Sequence, residues 1–137
     1  MTVVPAVLAA VALMNAAPVN NPCKGSDTIS MAKCMDAKVA KAIHRLSEYT
    51  GRAEATAEEA NDRSTQTAIA DAALAFEAYR KIYCGAVYEQ WRSGTIRIAI
   101  SQSCDLKLID DQTHRIWEDF LTPLQRPPIL PEPKPTD

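Results

Sequence analysis

Four cysteines, at positions 23, 34, 84 and 104, constrain this chain more than any other feature. Four allow three pairings, and the spacing separates them. Cys84 lies ten residues before Gly94 and Cys104 ten residues after it. If Ser93-Gly94 is the turn of an antiparallel helical hairpin, both cysteines stand about 15 Å from the turn at 1.5 Å per residue. They then face each other at a separation that a disulfide can span. Cys23 precedes the first amphipathic stretch and Cys34 lies about two turns into it, so a fold-back over Gly25 pins the entering chain to its own helix. The expected pairs are Cys23–Cys34 and Cys84–Cys104. Each closes a short local loop worth roughly 3 kcal/mol in the chain-entropy description. Neither pair has the two-to-four-residue spacing of zinc ligands, and no CxxC arrangement is present for thiol redox chemistry.

Disulfides need an oxidising compartment, and the N-terminus agrees. MTVVPAVLAAVALMNAA, residues 1–17, is an apolar run ending in small residues and followed by polar PVNNP. It reads as a secretory signal peptide with an apolar stretch too short to span a bilayer. A buried N-terminal helix is the competing reading. The expected divisions are a signal at 1–17, a helical domain at 18–122 and a proline-rich tail at 123–137, with a periplasmic or secreted location. No span is expected in the mature chain.

Helical periodicity organises the middle. Asp27, or Ser26 beside it, offers a helix cap. Met31, Met35, Val39, Ala42, Ile43, Leu46 and Tyr49 then recur at spacings of three and four, one face of an amphipathic helix. Gly51 weakens its centre. Asn61-Asp62-Arg63-Ser64 marks a turn. A second face runs through Ala68, Ile69, Ala72, Ala73, Phe76, Tyr79 and Tyr83, with Glu77, Arg80 and Lys81 expected off it. A third helix, capped by Thr95, carries Ile96, Ile100, Cys104, Leu108, Ile109, Ile116, Trp117 and Phe120. Six of the nine prolines lie from Pro123 onward, which excludes regular helix and sheet there. That segment is expected to be an extended tail, laid over the helices through Ile129 and Leu130 or acting as a proline-motif ligand. The fold expected is all-α: a small antiparallel three-helix bundle stapled by two disulfides.

Charge excludes some functions. Fifteen basic and seventeen acidic residues leave a formal charge of -2, and they alternate as on solvated helix faces, for example in RAEATAEEANDRS at 52–64. No basic stripe of the kind nucleic acid requires is visible. There is no nucleophile elbow, HExxH or phosphate-cradling glycine loop. Asp110, Asp111 and His114 form an Asp/His pair at i, i+4 that lacks further metal ligands, and a solvated helix face explains it, as it does His44. The expectation is a non-enzyme with no cofactor and no metal.

Two stretches remain. Tyr79-Arg80 reads as structural, the tyrosine filling the core edge and the arginine snorkelling to pair with Asp111 or Glu118. Tyr88, Trp91, Arg92, Thr95 and Arg97 gather near the hairpin tip, and Tyr, Trp and Arg are enriched in binding hot spots. Alternatively, Trp91 caps the core under the turn.

These residues resemble the LprI-type lysozyme-inhibitor domain. The likeness rests on Cys23 and Cys34, on Phe76-Glu-Ala-Tyr79-Arg80-Lys-Ile-Tyr-Cys84, on Gly94-Thr95-Ile96-Arg97, on Cys104, and on the run from Leu108 to Leu121. The chain departs from the family pattern at Lys81, at Gln112-Thr113 and at Ala72-Ala73. The resemblance implies an exported helical binding protein with a protein partner, a lysozyme-type hydrolase. A structural or scaffolding protein of the cell envelope is the alternative class.

Overall fold

A computed structural model describes Cys23 and residues 27–137; the expected signal peptide and the Gly25 and Ser26 part of the first cap lie outside the described residues. Three helices run up, down and up: α1 Thr28–Glu59, α2 Arg63–Gln90 and α3 Arg97–Phe120. Among the described residues there is no strand. Asp27 caps α1, its carboxylate accepting from the Ser30 amide at 2.8 Å. The α1–α2 turn follows from two adjacent residues. Asn61 takes a positive φ of 56°, a conformation asparagine tolerates better than most residues. The Asn61 amide donates to the Glu58 carbonyl and the Asp62 amide to the Ala57 carbonyl, both at 2.9 Å, which closes the end of α1 as a Schellman motif. Asp62 then caps α2 by accepting from the Thr65 amide at 3.0 Å.

The inward stripe of α1 follows its periodicity, with Met35, Val39, Ala42, Tyr49, Ala53 and Ala57 buried, but Ile43, expected on that face, is exposed. Two clusters form the core. Val39, Ala42 and Ile109 pack with Leu46, Phe76 and Leu106. Tyr49, Ala53, Ile69, Ile116 and Leu121 pack with Trp117, Ile129 and Leu130.

The α2 stripe corrects the sequence reading. The buried residues of α2 are Ile69, Arg80 and Cys84, while Tyr79 and Tyr83 are 52% and 49% exposed and stack on each other with centroids 5.5 Å apart. Two covalent or ionic ties set this rotation. Cys84 is bonded to Cys104 with their Cα atoms 5.7 Å apart, and Arg80, one turn earlier, reaches Asp105 of α3. Both ties lie on the stripe next to the tyrosines, so the tyrosines turn outward. Cys23–Cys34 is the second disulfide, Cα to Cα 5.4 Å. Both pairings are those expected from the spacing. Thr95 is not the cap of α3: Ile96 holds that position without a side-chain hydrogen bond, because the turn tightens through a Gly94 amide to Trp91 carbonyl bond of 2.8 Å.

The tail follows the bundle. Beyond Leu121 the Ile129 amide donates to the Leu121 carbonyl at 2.8 Å. The Trp117 indole donates to the Leu130 carbonyl at 2.9 Å and the Tyr49 hydroxyl to the Pro131 carbonyl at 2.6 Å. At its end Asp110 accepts from the Thr136 amide and hydroxyl, both at 2.8 Å, and from Arg45 at 2.6 Å. A proline-rich segment forms no regular internal hydrogen-bond ladder, so carbonyls such as those of Leu130 and Pro131 are open to donors from the bundle. Asp110→Ala is expected to cost about 2–3 kcal/mol, since it removes a charged acceptor and leaves Arg45 without its counter-charge. Chemical unfolding measures the loss, and hydrogen exchange should find the Thr136 amide unprotected in the variant.

Candidate functional site

The hairpin tip is where the geometry and the sequence expectations meet. α2 continues through Gly85 to Gln90, and the chain turns between Trp91 and Ile96 before α3 begins. Gly94 makes that turn compact: a Cβ placed on it would stand 3.3 Å from the Trp91 carbonyl and 3.9 Å from the Trp91 ring. The indole thus lies against the turn itself, 45% exposed. It belongs to neither core cluster, so it does not cap the core.

Of the other tip residues, Arg97 sits over the Tyr88 ring, 4.9 Å from its centroid, and donates to the Arg92 carbonyl at 3.2 Å. This cation–π contact holds one arginine against the end of α2. Arg92 itself is exposed, and its guanidinium has no partner among the described residues. Thr95 lines an apolar hollow of about 220 Å³ between the starts of α1 and α3. Ile29, Ile96 and Ile98 rim that hollow and are 67%, 40% and 48% exposed. Sequence reasoning missed Ile29 and Ile98 and placed Ile96 on the inward face of α3. The one available signal was the Ile-x-Ile alternation just after the turn, which helical periodicity cannot bury whole.

Below the tip lies its brace. Arg80 is 7% exposed and forks between two carboxylates, with Nη1 to Asp105 at 2.8 Å and Nε and Nη2 to Glu77 at 3.1 and 2.8 Å. The expected partners Asp111 and Glu118 are not used; Asp105 follows Cys104 directly, so the disulfide delivers it to the guanidinium. Burial pulls the Arg80 pKa down, and the hydrogen bonds it donates to Glu77 and Asp105 outweigh it, so the net direction is up. The Arg80 hydrogen bond, with help from Lys81, holds Glu77 below its ordinary value of 4.5 against the opposing effect of partial burial. The Ser101 hydroxyl adds a bond to the Cys84 carbonyl at 3.1 Å.

Phe76 is half-buried against the Val39–Ala42–Ile109 cluster. His114 turns away from Asp110, toward Glu132 at 3.2 Å and the Trp117 ring at 5.4 Å. Among the described residues no three His, Cys, Asp or Glu side chains are grouped as a metal site requires. No described helix is long and apolar enough to cross a membrane.

A family model described as "Lysozyme inhibitor LprI" matches residues 20–116, from just before Cys23 to the last turns of α3. No curated protein and no solved structure matches the chain.

The brace has a pH signature. Because the folded pKa of Glu77 is depressed, its contribution to stability is present above the ordinary value and lost as pH falls through the folded one. The stability gap between wild type and Glu77→Gln is therefore expected to be largest near about pH 6 and to close toward about pH 3. Urea unfolding of both proteins at the two pH values checks it.

Proposed function

The chain belongs to the family of the lysozyme inhibitor LprI, and from that membership we propose that it is an exported, non-enzymatic binding protein that masks a lysozyme-type cell-wall hydrolase with its hairpin tip. The observation that carries this reading is the pairing, at one apex, of a half-exposed indole with a guanidinium that has no partner among the described residues. Hydrolases of the lysozyme type work with two carboxylates flanking the scissile bond. An unpaired arginine beside an aromatic anchor is complementary to such a cleft in charge and in shape.

The surroundings suit that role. The disulfide and the Arg80 fork limit how far the tip can yield, so little ordering entropy opposes binding. Arg97 and Tyr88 support the apex from beneath, and the Ile29–Ile96–Ile98 hollow supplies an apolar neighbour for a partner's side chain. Two disulfides favour an oxidising compartment, in keeping with a signal at 1–17, a helical domain at 18–122, a tail at 123–137, and a periplasmic or secreted location. In this reading the carboxylates of the chain do no catalysis.

Inhibition and binding measured against several lysozymes test the proposal. The oxidised wild type is expected to inhibit at least one. Trp91→Ala and Arg92→Ala are each expected to weaken it about tenfold or more at unchanged melting temperature, as hot-spot residues do. Absence of both binding and inhibition by the intact protein would leave the envelope scaffold as the better reading. Inhibition insensitive to both substitutions would move the contact away from the tip.

A further inference from the structure

A second concavity, separate from the tip, opens where α1, α2 and α3 meet, with a volume of about 430 Å³. That is within the range of small-molecule sites. Its apolar floor is Leu46, Phe76 and Ile116. Its polar lining is unusual in being idle: Ser47, Thr50, Gln112 and Glu54 all border the groove, and none of their side chains has a partner among the described residues. By contrast, the Ser101 and Thr113 hydroxyls donate to backbone carbonyls.

The charge in the groove has one sign. Glu54 and Glu77 line it and no basic residue does. Arg80 and Lys81 already hold the Glu77 carboxylate at 2.8 and 3.1 Å, so Glu54 is the uncompensated charge. It stands on α1 one turn beyond Thr50 and Gly51, on the same stripe as Ser47. An anionic ligand would meet this carboxylate unpaired, whereas a cation would neutralise it.

Gly51 is the independent observation. It sits inside a helix of 32 residues, where glycine weakens the helix relative to alanine. Apart from its chain neighbours and the nearby backbone of its own helix, no atom lies within 4 Å of a Cβ placed there, so packing within the chain does not require a glycine. What the missing side chain leaves is open groove wall, where a bound molecule can approach the backbone closely.

We propose that this groove is a binding site for a small organic cation with an apolar body, whose chain or ring lies on Leu46, Phe76 and Ile116 beside Gly51 and whose ammonium group meets Glu54. The assignment is independent of the inhibitor reading, and its test contains no hydrolase.

The test is a ¹H–¹⁵N titration of the oxidised full chain with hexylammonium, with hexanoate as the probe of opposite charge and hexanol as the neutral one. Hexylammonium is expected to shift the amides of Thr50, Gly51, Ala73 and Gln112 saturably, with a dissociation constant on the order of millimolar for so small a ligand. Hexanoate should bind at least about tenfold more weakly. Gly51→Leu, which projects into the groove, should abolish the shifts while leaving the rest of the spectrum in place. Glu54→Gln should reduce hexylammonium to the affinity of hexanol without filling the groove. Absence of saturable shifts, equal binding of cation and anion, or hexylammonium binding that survives Gly51→Leu would each overturn the assignment.

Discussion

Rotation of α2 about its own axis is the constraint on which the rest of the molecule depends, and it is set at one point by Cys84–Cys104 together with the Arg80–Asp105 ion pair. A helix rich in alanine has little side-chain volume with which to define its facing stripe. Alanine packs acceptably on any side, so the apolar pattern of α2 alone leaves several rotations close in energy. The disulfide removes that degeneracy covalently, and the guanidinium reinforces it one turn away. A buried arginine is costly unless its donors are used. Here Asp105 and Glu77 use them: Glu77 is on the same helix at i, i+3, and the rotation of α2 brings Asp105 of α3 within reach.

The consequences run outward from that point. With Cys84 and Arg80 facing α3, Leu74, Tyr79, Ile82 and Tyr83 must face outward. The end of α2 arrives at the apex with Trp91 against Gly94 and Arg97 over Tyr88. At the opposite end of the bundle the work is done by backbone groups and polar side chains. Asn61 and Asp62 end one helix and begin the next, and the tail is held by donors from Tyr49 and Trp117. One end is therefore covalently braced and displays side chains, while the other is closed by hydrogen bonds to main chain.

What was legible in the sequence follows the same division. The inward stripe of α1 could be read because Met35, Val39, Leu46 and Tyr49 are large enough for periodicity to carry information. The Asn61–Ser64 turn could be read because asparagine and aspartate have specific backbone roles. The disulfides could be read because Cys84 and Cys104 are equidistant from Gly94. The α2 stripe could not: Tyr79 and Tyr83 are more apolar than Arg80, and hydrophobicity cannot foresee that a crosslink and a carboxylate on another helix will turn the arginine inward. Thr95 has the chemistry of a cap, but the register of the turn puts Ile96 there instead. The tail's contacts run through carbonyls, which every residue possesses, so composition could identify the segment but not its docking. At the tip, residue types pointed to Tyr88, Trp91, Arg92 and Arg97, and only coordinates could distinguish the occupied guanidinium of Arg97 from the unoccupied one of Arg92.

That distinction separates rigidity from recognition. Groups already engaged within the chain, such as Arg80, Asp105, Asp110 and Thr113, hold the bundle together. Unpartnered polar groups stand beside exposed or open apolar surface at two places, the apex around Trp91 and Arg92 and the groove around Thr50, Gly51 and Glu54. Both adjoin a part of the frame that is fixed, the apex by Cys84–Cys104 and the groove by the Glu77–Arg80 pair on its rim. An unsatisfied group on a yielding segment would find a partner within its own chain by local rearrangement. On a braced frame it stays open to a partner from outside.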